Sequence, residues 1–174
     1  MLKPDGTLEI PDIGLGEAYL GKASYVVYDE EDIDDDLLKL VCARKYNEPL
    51  VIARTERFII REMTVEDLPH LYELYQTLSD CPYVEPLYEY EDEKAFTIKY
   101  IENMYGFFGY GLWLVFEKKT GELVARAGIE NRSIDGQNCQ ELGYLVKKSW
   151  QGKRVAWEVM NHIVDIAKDR FGLE

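Results

Sequence analysis

Histidine and cysteine are scarce in this chain, two and three residues among 174. His70 and His162 have no partner at ligand spacing. Cys42, Cys81 and Cys139 lack metal-type spacing and make an odd set, so neither a metal centre nor a disulfide framework is expected. The thiols are read as reduced, in a cytoplasmic protein. Long apolar runs are missing as well. None approaches the ~20 residues of a membrane span, and the opening MLKPDGTLEIPD lacks the basic-then-apolar layout of a secretory leader. Positive charge is also in short supply. Twenty Lys and Arg stand against 33 Asp and Glu, a formal net charge of -13, which argues against nucleic acid or anionic membrane as partner.

What is present suits a folded domain. The apolar fraction is 47%, with 13 tyrosines, and the length allows one buried core with a small appendage. Residues 1–54 are read as an acidic N-terminal segment docked on the core formed by residues 55–174. The first ~23 residues are rich in Gly and Pro and are expected to be mostly irregular. Ser24–Tyr28 reads as a strand and Leu50–Ala53 as another, with a helix to about Tyr46 between them, stopped by Asn47-Glu48-Pro49. Seven acidic residues crowd Asp29–Asp36. Their spacing does not fit a twelve-residue calcium loop, and carboxylates at a helix N-terminus are favoured by the macrodipole.

From Arg57 the pattern becomes a strand at Phe58–Arg61 and a helix capped by Asp67, with Leu68, Leu71, Tyr72, Tyr75 and Leu78 on one face. A loop from Cys81 to Tyr90 leads to a second helix with Ala95, Ile98, Ile101 and Tyr105 inward. Three antiparallel strands follow at Leu112–Glu117, Leu123–Glu130 and Glu141–Val146, with Asn131–Asn138 read as the second turn. The last element is a helix from Lys153 to about Arg170, aligning Val155, Val159, Ile163 and Ala167. The fold class is therefore α/β.

The chemistry concentrates between Glu141 and Ala156. A strand there runs through a short loop straight into a helix, aiming unpaired backbone N–H groups at one spot, which suits a pyrophosphate. Lys153 and Arg154 add cations, and a guanidinium can grip phosphate oxygens in a planar fork. Most strand-to-helix turns bind nothing, so the junction alone does not decide the matter.

Gln151-Gly152-Lys153-Arg154-Val155-Ala156 resembles the acetyl-CoA signature of the GNAT N-acetyltransferases, Q/R-x-x-G-x-G/A, matching it at Gln151 and Ala156. Thr55–Arg61 resembles the opening strand of the branch that includes the ribosomal-protein N-terminal acetyltransferases. Gly109-Tyr-Gly-Leu-Trp113 and Lys119-Thr-Gly-Glu122 resemble that branch's second strand and hairpin. The resemblance covers about residues 55–172. It implies a mixed, largely antiparallel sheet with helices on both faces, and acetyl-CoA as co-substrate, held by Leu145, Val146, Gln151, Gly152, Lys153, Arg154, Val155 and Ala156. It further implies transfer of acetyl to a primary amine, on a protein N-terminus or a small molecule, by direct attack. The Val146 N–H would polarise the thioester carbonyl and Glu141 would take the proton. Tyr83, Glu85, Tyr88 and Glu89 lie where the family's acceptor loop lies. The structural alternative for Glu141 is an ion pair across the sheet with Arg126 or Lys147. The functional alternative is a non-catalytic CoA-binding or protein-interaction domain.

Two departures from the family pattern carry expectations. Arg154 stands where the motif has its central glycine, and its side chain either obstructs the site or pairs with phosphate. The family's fold also continues past the last helix with further strands and a helix, whereas this sequence stops at Glu174. The edge of the Glu141–Val146 strand is therefore expected to be open, and the chain to self-associate or lose stability through it.

Overall fold

The computed structural model describes residues 13–21 and 23–172, and these divide between Leu50 and Val51 into two compact units. In the first unit, β1 (Ile13–Leu15) pairs in parallel with β2 (Tyr25–Val27), and the Gly16 N–H donates to the Val27 carbonyl at 2.8 Å. The sequence reading made this opening mostly irregular; residues 1–12 and 22 lie outside the described residues. Helix α1 (Asp35–Tyr46) begins at Asp34, whose carboxylate accepts the Leu37 N–H at 2.7 Å, and ends at Asn47 in the left-handed region. The acidic run thus serves two helix starts. Glu30–Asp32 form a short 3-10 turn capped by Asp29, and Asp34–Asp36 open α1, where negative charge meets the positive end of the dipole.

The second unit is built on a five-stranded antiparallel sheet. Its strands are β3 (Val51–Arg54), β4 (Phe58–Arg61), β5 (Leu112–Glu117), β6 (Leu123–Ile134) and β7 (Gln137–Val146), hydrogen-bonded in that order. Apolar residues alternate along β4 and dominate β5 and the first seven residues of β6, so both faces of the sheet centre are buried there. Helix α2 (Leu68–Gln76) lies on the face toward which Arg126 points. Helix α4 (Val155–Phe171) covers the other, burying Val155, Val159, Ile163 and Ala167 as their spacing requires. Phe58, Ile60, Leu71, Trp113, Val115 and Ile129 form the core between them.

Three local expectations change. The start of α2 is set by Thr64 and not by Asp67. A 3-10 turn, Val65–Asp67, intervenes, and Asp67 is the third residue of a capping box that reaches back to the Thr64 N–H at 2.8 Å. Helix α3 (Tyr90–Tyr100) buries Glu93 and Thr97, while Ala95 and Ile98 are exposed. The cause is twofold: the Glu93 carboxylate turns inward to accept the Tyr88 N–H, and the helix continues as wider π turns over Ile101–Phe108, which breaks the 3.6-residue period before Tyr105. The β6–β7 turn is two residues, not eight. Asp135 and Gly136 both have positive φ (52° and 79°), the twist-matched hairpin turn, so both strands run on past the expected ends.

Candidate functional site: two clefts at the β7–α4 junction

The junction is held by backbone and side-chain bonds that converge on a short loop. At the end of β7 the Lys147 N–H donates back to the Val124 carbonyl at 2.9 Å. Alternation along an antiparallel strand then turns the Val146 N–H and carbonyl away from β6. That outward carbonyl accepts the Gln151 side-chain amide at 3.1 Å, closing the loop over a 3-10 turn at Lys148–Trp150. Glu122, the residue before β6, pins the turn by accepting Lys147 Nζ at 2.7 Å and Trp150 Nε1 at 3.1 Å, and these bonds, led by Lys147, hold its carboxyl below the usual range. Glu158 anchors the first turn of α4. Its carboxylate accepts Thr55 Oγ1 at 2.6 Å and Arg57 Nε at 2.7 Å. Burial works to raise its pKa, and the bonds from Thr55 and Arg57 outweigh that and lower it.

Gly152 and Arg154 both take positive φ, 74° and 59°. The left-handed position is where the related motif places its glycine, so the backbone turn survives while a guanidinium is added. No side chain among the described residues caps α4, which leaves the N–H groups of its first turn to meet an anion.

Two adjoining clefts flank β7. The first, about 500 Å³, is lined mainly by apolar groups, among them Leu78, Val84, Leu145, Val146, Val155 and Trp157, and by the loop from Gln151 to Ala156. Of the eight residues expected to hold the co-substrate, it brings together Leu145, Val146, Gln151, Gly152, Arg154, Val155 and Ala156. Lys153 is not in its lining: its ammonium lies over the Trp150 ring, 4.9 Å from the centroid. The second cleft, about 560 Å³, is polar and charged. It is lined by Tyr83, Glu85, Tyr100, Arg126, Glu130, Arg132 and Glu141, and it shares Val84, Tyr144 and Leu145 with the first.

Glu141 is on the wall of this second cleft, with its side chain 50% exposed and Arg132 Nε at 3.0 Å. Neither partner expected from the sequence is the one found. Lys147 is engaged by Glu122, and Arg126 donates to Tyr75 Oη at 3.0 Å. The ten-residue length of β7 explains this, because its extra residue pairs put Arg132 opposite Cys139, two pairs along the ladder from Glu141. Tyr83 and Glu85 face the cleft, Tyr83 being 92% exposed. Tyr88 and Glu89 are outside its lining. The Tyr88 backbone is tied to Tyr72 Oη and the Glu93 carboxylate, and Glu89 precedes the first residue of α3. Sequence reasoning passed over Val84 and Tyr144, which join the clefts, and gave Arg126 no site role. A lone cation within the apolar run Leu123–Ile129 was the available signal for the last.

Residues 57–174 match the model of the acetyltransferase (GNAT) domain family. The chain is 30% identical over 114 residues to the uncharacterized protein YkkB of Bacillus subtilis, and the matched region spans 64% of each chain, a little under two thirds of that relative's length. Among solved structures, an acetyltransferase from Agrobacterium tumefaciens superposes with a TM-score of 0.56 at 24% identity, covering 70% of this chain and 68% of that one. RimL, a ribosomal L7/L12 alpha-N-protein acetyltransferase, superposes with a TM-score of 0.57 at 14% identity, covering 72% and 68%. At these identities the structural likeness bears on the fold.

Proposed function

The chain belongs to the GNAT acetyltransferase family, and from that premise we propose that it transfers an acetyl group from acetyl-CoA to a primary amine, on a small molecule or a peptide, by direct attack. The observation that carries this reading is the junction itself. An apolar cleft ending at an uncapped helix N-terminus meets a charged cleft at Leu145 and Tyr144.

The residues fit the co-substrate. The first-turn N–H groups of α4, with Arg154, suit a pyrophosphate, and they do so locally within a chain whose net charge of -13 opposes a polyanion. Leu78, Val84, Leu145 and Val155 give an apolar wall for a pantetheine arm. Acetyl-CoA, when bound, supplies the acyl group as a thioester. The chain's own groups then position and polarise: the outward Val146 N–H is placed to donate to a carbonyl oxygen at the cleft junction. Glu141 accepts the proton of the attacking amine. It stands four residues from Leu145 on the same strand, about 13 Å at ~3.3 Å per residue, farther than one water bridges, so the proton reaches it along a chain of several waters. The balance is simple. A C–N bond forms, the C–S bond breaks, and one amine proton is returned to the thiolate.

Thiol release from acetyl-CoA, measured with and without an added panel of primary amines, tests the proposal. Amine-dependent release together with a mass gain of one acetyl group on the amine supports it. Acetyl-CoA binding with no transfer to any amine would instead favour a non-catalytic CoA-binding domain.

A further inference from the structure

Arg126 is buried to 7% exposure on β6, yet among the described residues no carboxylate lies within ion-pairing distance of it. Its partners among the described residues are neutral. One Nη donates to Tyr75 Oη at 3.0 Å, and the guanidinium lies 5.7 Å from the centroid of the Tyr100 ring. Its Nε–H is buried with no acceptor among the described residues. Removing a charge from water is costly unless an opposite charge and hydrogen bonds replace the lost solvent. A guanidinium carries five donors in a rigid fork that matches a carboxylate, and this one has only neutral tyrosines for partners among the described residues.

The position of the unpaired cation is specific. Arg126 is in register with Leu145, the residue at which the two clefts meet, and it lines the charged cleft. The rest of that cleft has the opposite sign. Glu85, Glu130 and Glu141 also line it, and Arg132 lies between the last two, at 3.4 Å from Glu130 and 3.0 Å from Glu141. Two cations and three carboxylates therefore surround one space, which suits a zwitterion better than a simple anion or a simple cation.

We infer that the acceptor is an amino carboxylate, with Arg126 holding the carboxylate beside the reacting amine. This rests on the acetyltransferase reading above. Arg126 is opposite Leu145, so the carboxylate it holds is close to the point of acyl transfer, which requires a short amino carboxylate. Free α- or β-amino acids meet that requirement. A peptide N-terminus, whose neighbouring carbonyl is an amide, does not.

The test compares acids with their amides. Acetylation of the standard α-amino acids and β-alanine is measured alongside their carboxamides, and binding of the same compounds to CoA-saturated protein is followed by calorimetry. The expected result is at least one acid acetylated more than tenfold faster than its amide, with binding showing the same order. Arg126→Met should abolish that preference, and Arg126→Lys should restore part of it. Should Arg126→Met fail to fold, the wild-type comparison of acid with amide still decides. Amides that bind and react as well as acids, or acids that do neither, overturn the inference while transfer to other amines leaves the acetyltransferase reading standing. Absence of acetyl-CoA binding would remove that reading itself.

Discussion

Arg57 Nε stands 2.7 Å from Glu158 Oε2, joining the turn before β4 to the first turn of α4 across 101 residues of sequence. The same guanidinium donates through Nη2 to the Lys153 carbonyl at 3.1 Å, so one side chain fixes both the helix and the loop that leads into it. Thr55 completes the set by donating its hydroxyl to Glu158 Oε1 and accepting the Phe58 N–H. Glu158→Gln should therefore cost about 1–3 kcal/mol, the usual loss when a part-buried charged acceptor is removed. Its pH dependence has a definite sign. The folded pKa is lowered, so the stabilisation is present above the unfolded value near ~4.3 and is lost as pH falls through the folded value. Urea unfolding at pH 7 and pH 3 checks this. The gap between wild type and variant should narrow in acid, and a gap that widens would refute the assignment.

Arg154 carries a left-handed backbone at φ 59° in the position where the related signature has glycine. A non-glycine residue pays about 1 kcal/mol or more there. Arg154→Gly is expected to raise the unfolding free energy by about 1 kcal/mol and to weaken acetyl-CoA binding roughly tenfold through loss of a charge-assisted contact. Denaturant melts and calorimetry read the two effects separately. Tighter binding in the variant would mean that the side chain obstructs the cleft.

Asp67 grips both Nη atoms of Arg61, at 2.7 and 2.6 Å, while accepting the Thr64 N–H. Burial opposes its ionisation, but the bonds from Arg61 and Thr64 prevail and its pKa is lowered. Asp67→Ala should destabilise by about 1–3 kcal/mol at neutral pH, with the loss fading below the unfolded carboxyl range near ~3.9. Thermal unfolding between pH 7 and pH 2 follows it. An unchanged melting temperature at pH 7 would contradict the role given to the capping box.

Glu141→Gln removes the proposed proton acceptor while keeping side-chain size. Turnover should fall by about 10²–10⁴-fold, the usual contribution of a positioned base, with acetyl-CoA affinity little altered. Unchanged turnover would shift the role to another carboxylate of the cleft, Glu130 being the less exposed neighbour at Arg132.

The parts of this account that were legible in the sequence share strict local rules. The four buried residues of α4 follow from 3.6-residue spacing, and the loop from Gln151 to Ala156 follows from a strand running directly into a helix. The face of α3 was misread because Glu93 is buried for its hydrogen bond to the Tyr88 N–H and because π turns shift the phase before Tyr105. The β6–β7 turn was legible but overlooked, since Asp135-Gly136 is the dipeptide that such a hairpin favours. The acceptor loop divided, with Tyr83 and Glu85 at the cleft and Tyr88 and Glu89 away from it, because side chains 16 and 5 residues away from Tyr88 fix its backbone. No spacing rule reaches such contacts. Arg126 belongs to the same class: its burial was readable from its strand, and its lack of a carboxylate partner was not.

The central claim, that acetyl-CoA occupies the cleft between β7 and α4, is tested most directly by calorimetric titration of acetyl-CoA into the wild type and into Ala156→Trp. Ala156 is half-buried on the cleft wall, so an indole there fills the cleft rather than the core. The account predicts one acetyl-CoA per chain for the wild type and at least a tenfold weaker affinity for the variant, about 1.4 kcal/mol. No binding by the wild type, or equal affinities for the two proteins, would contradict it.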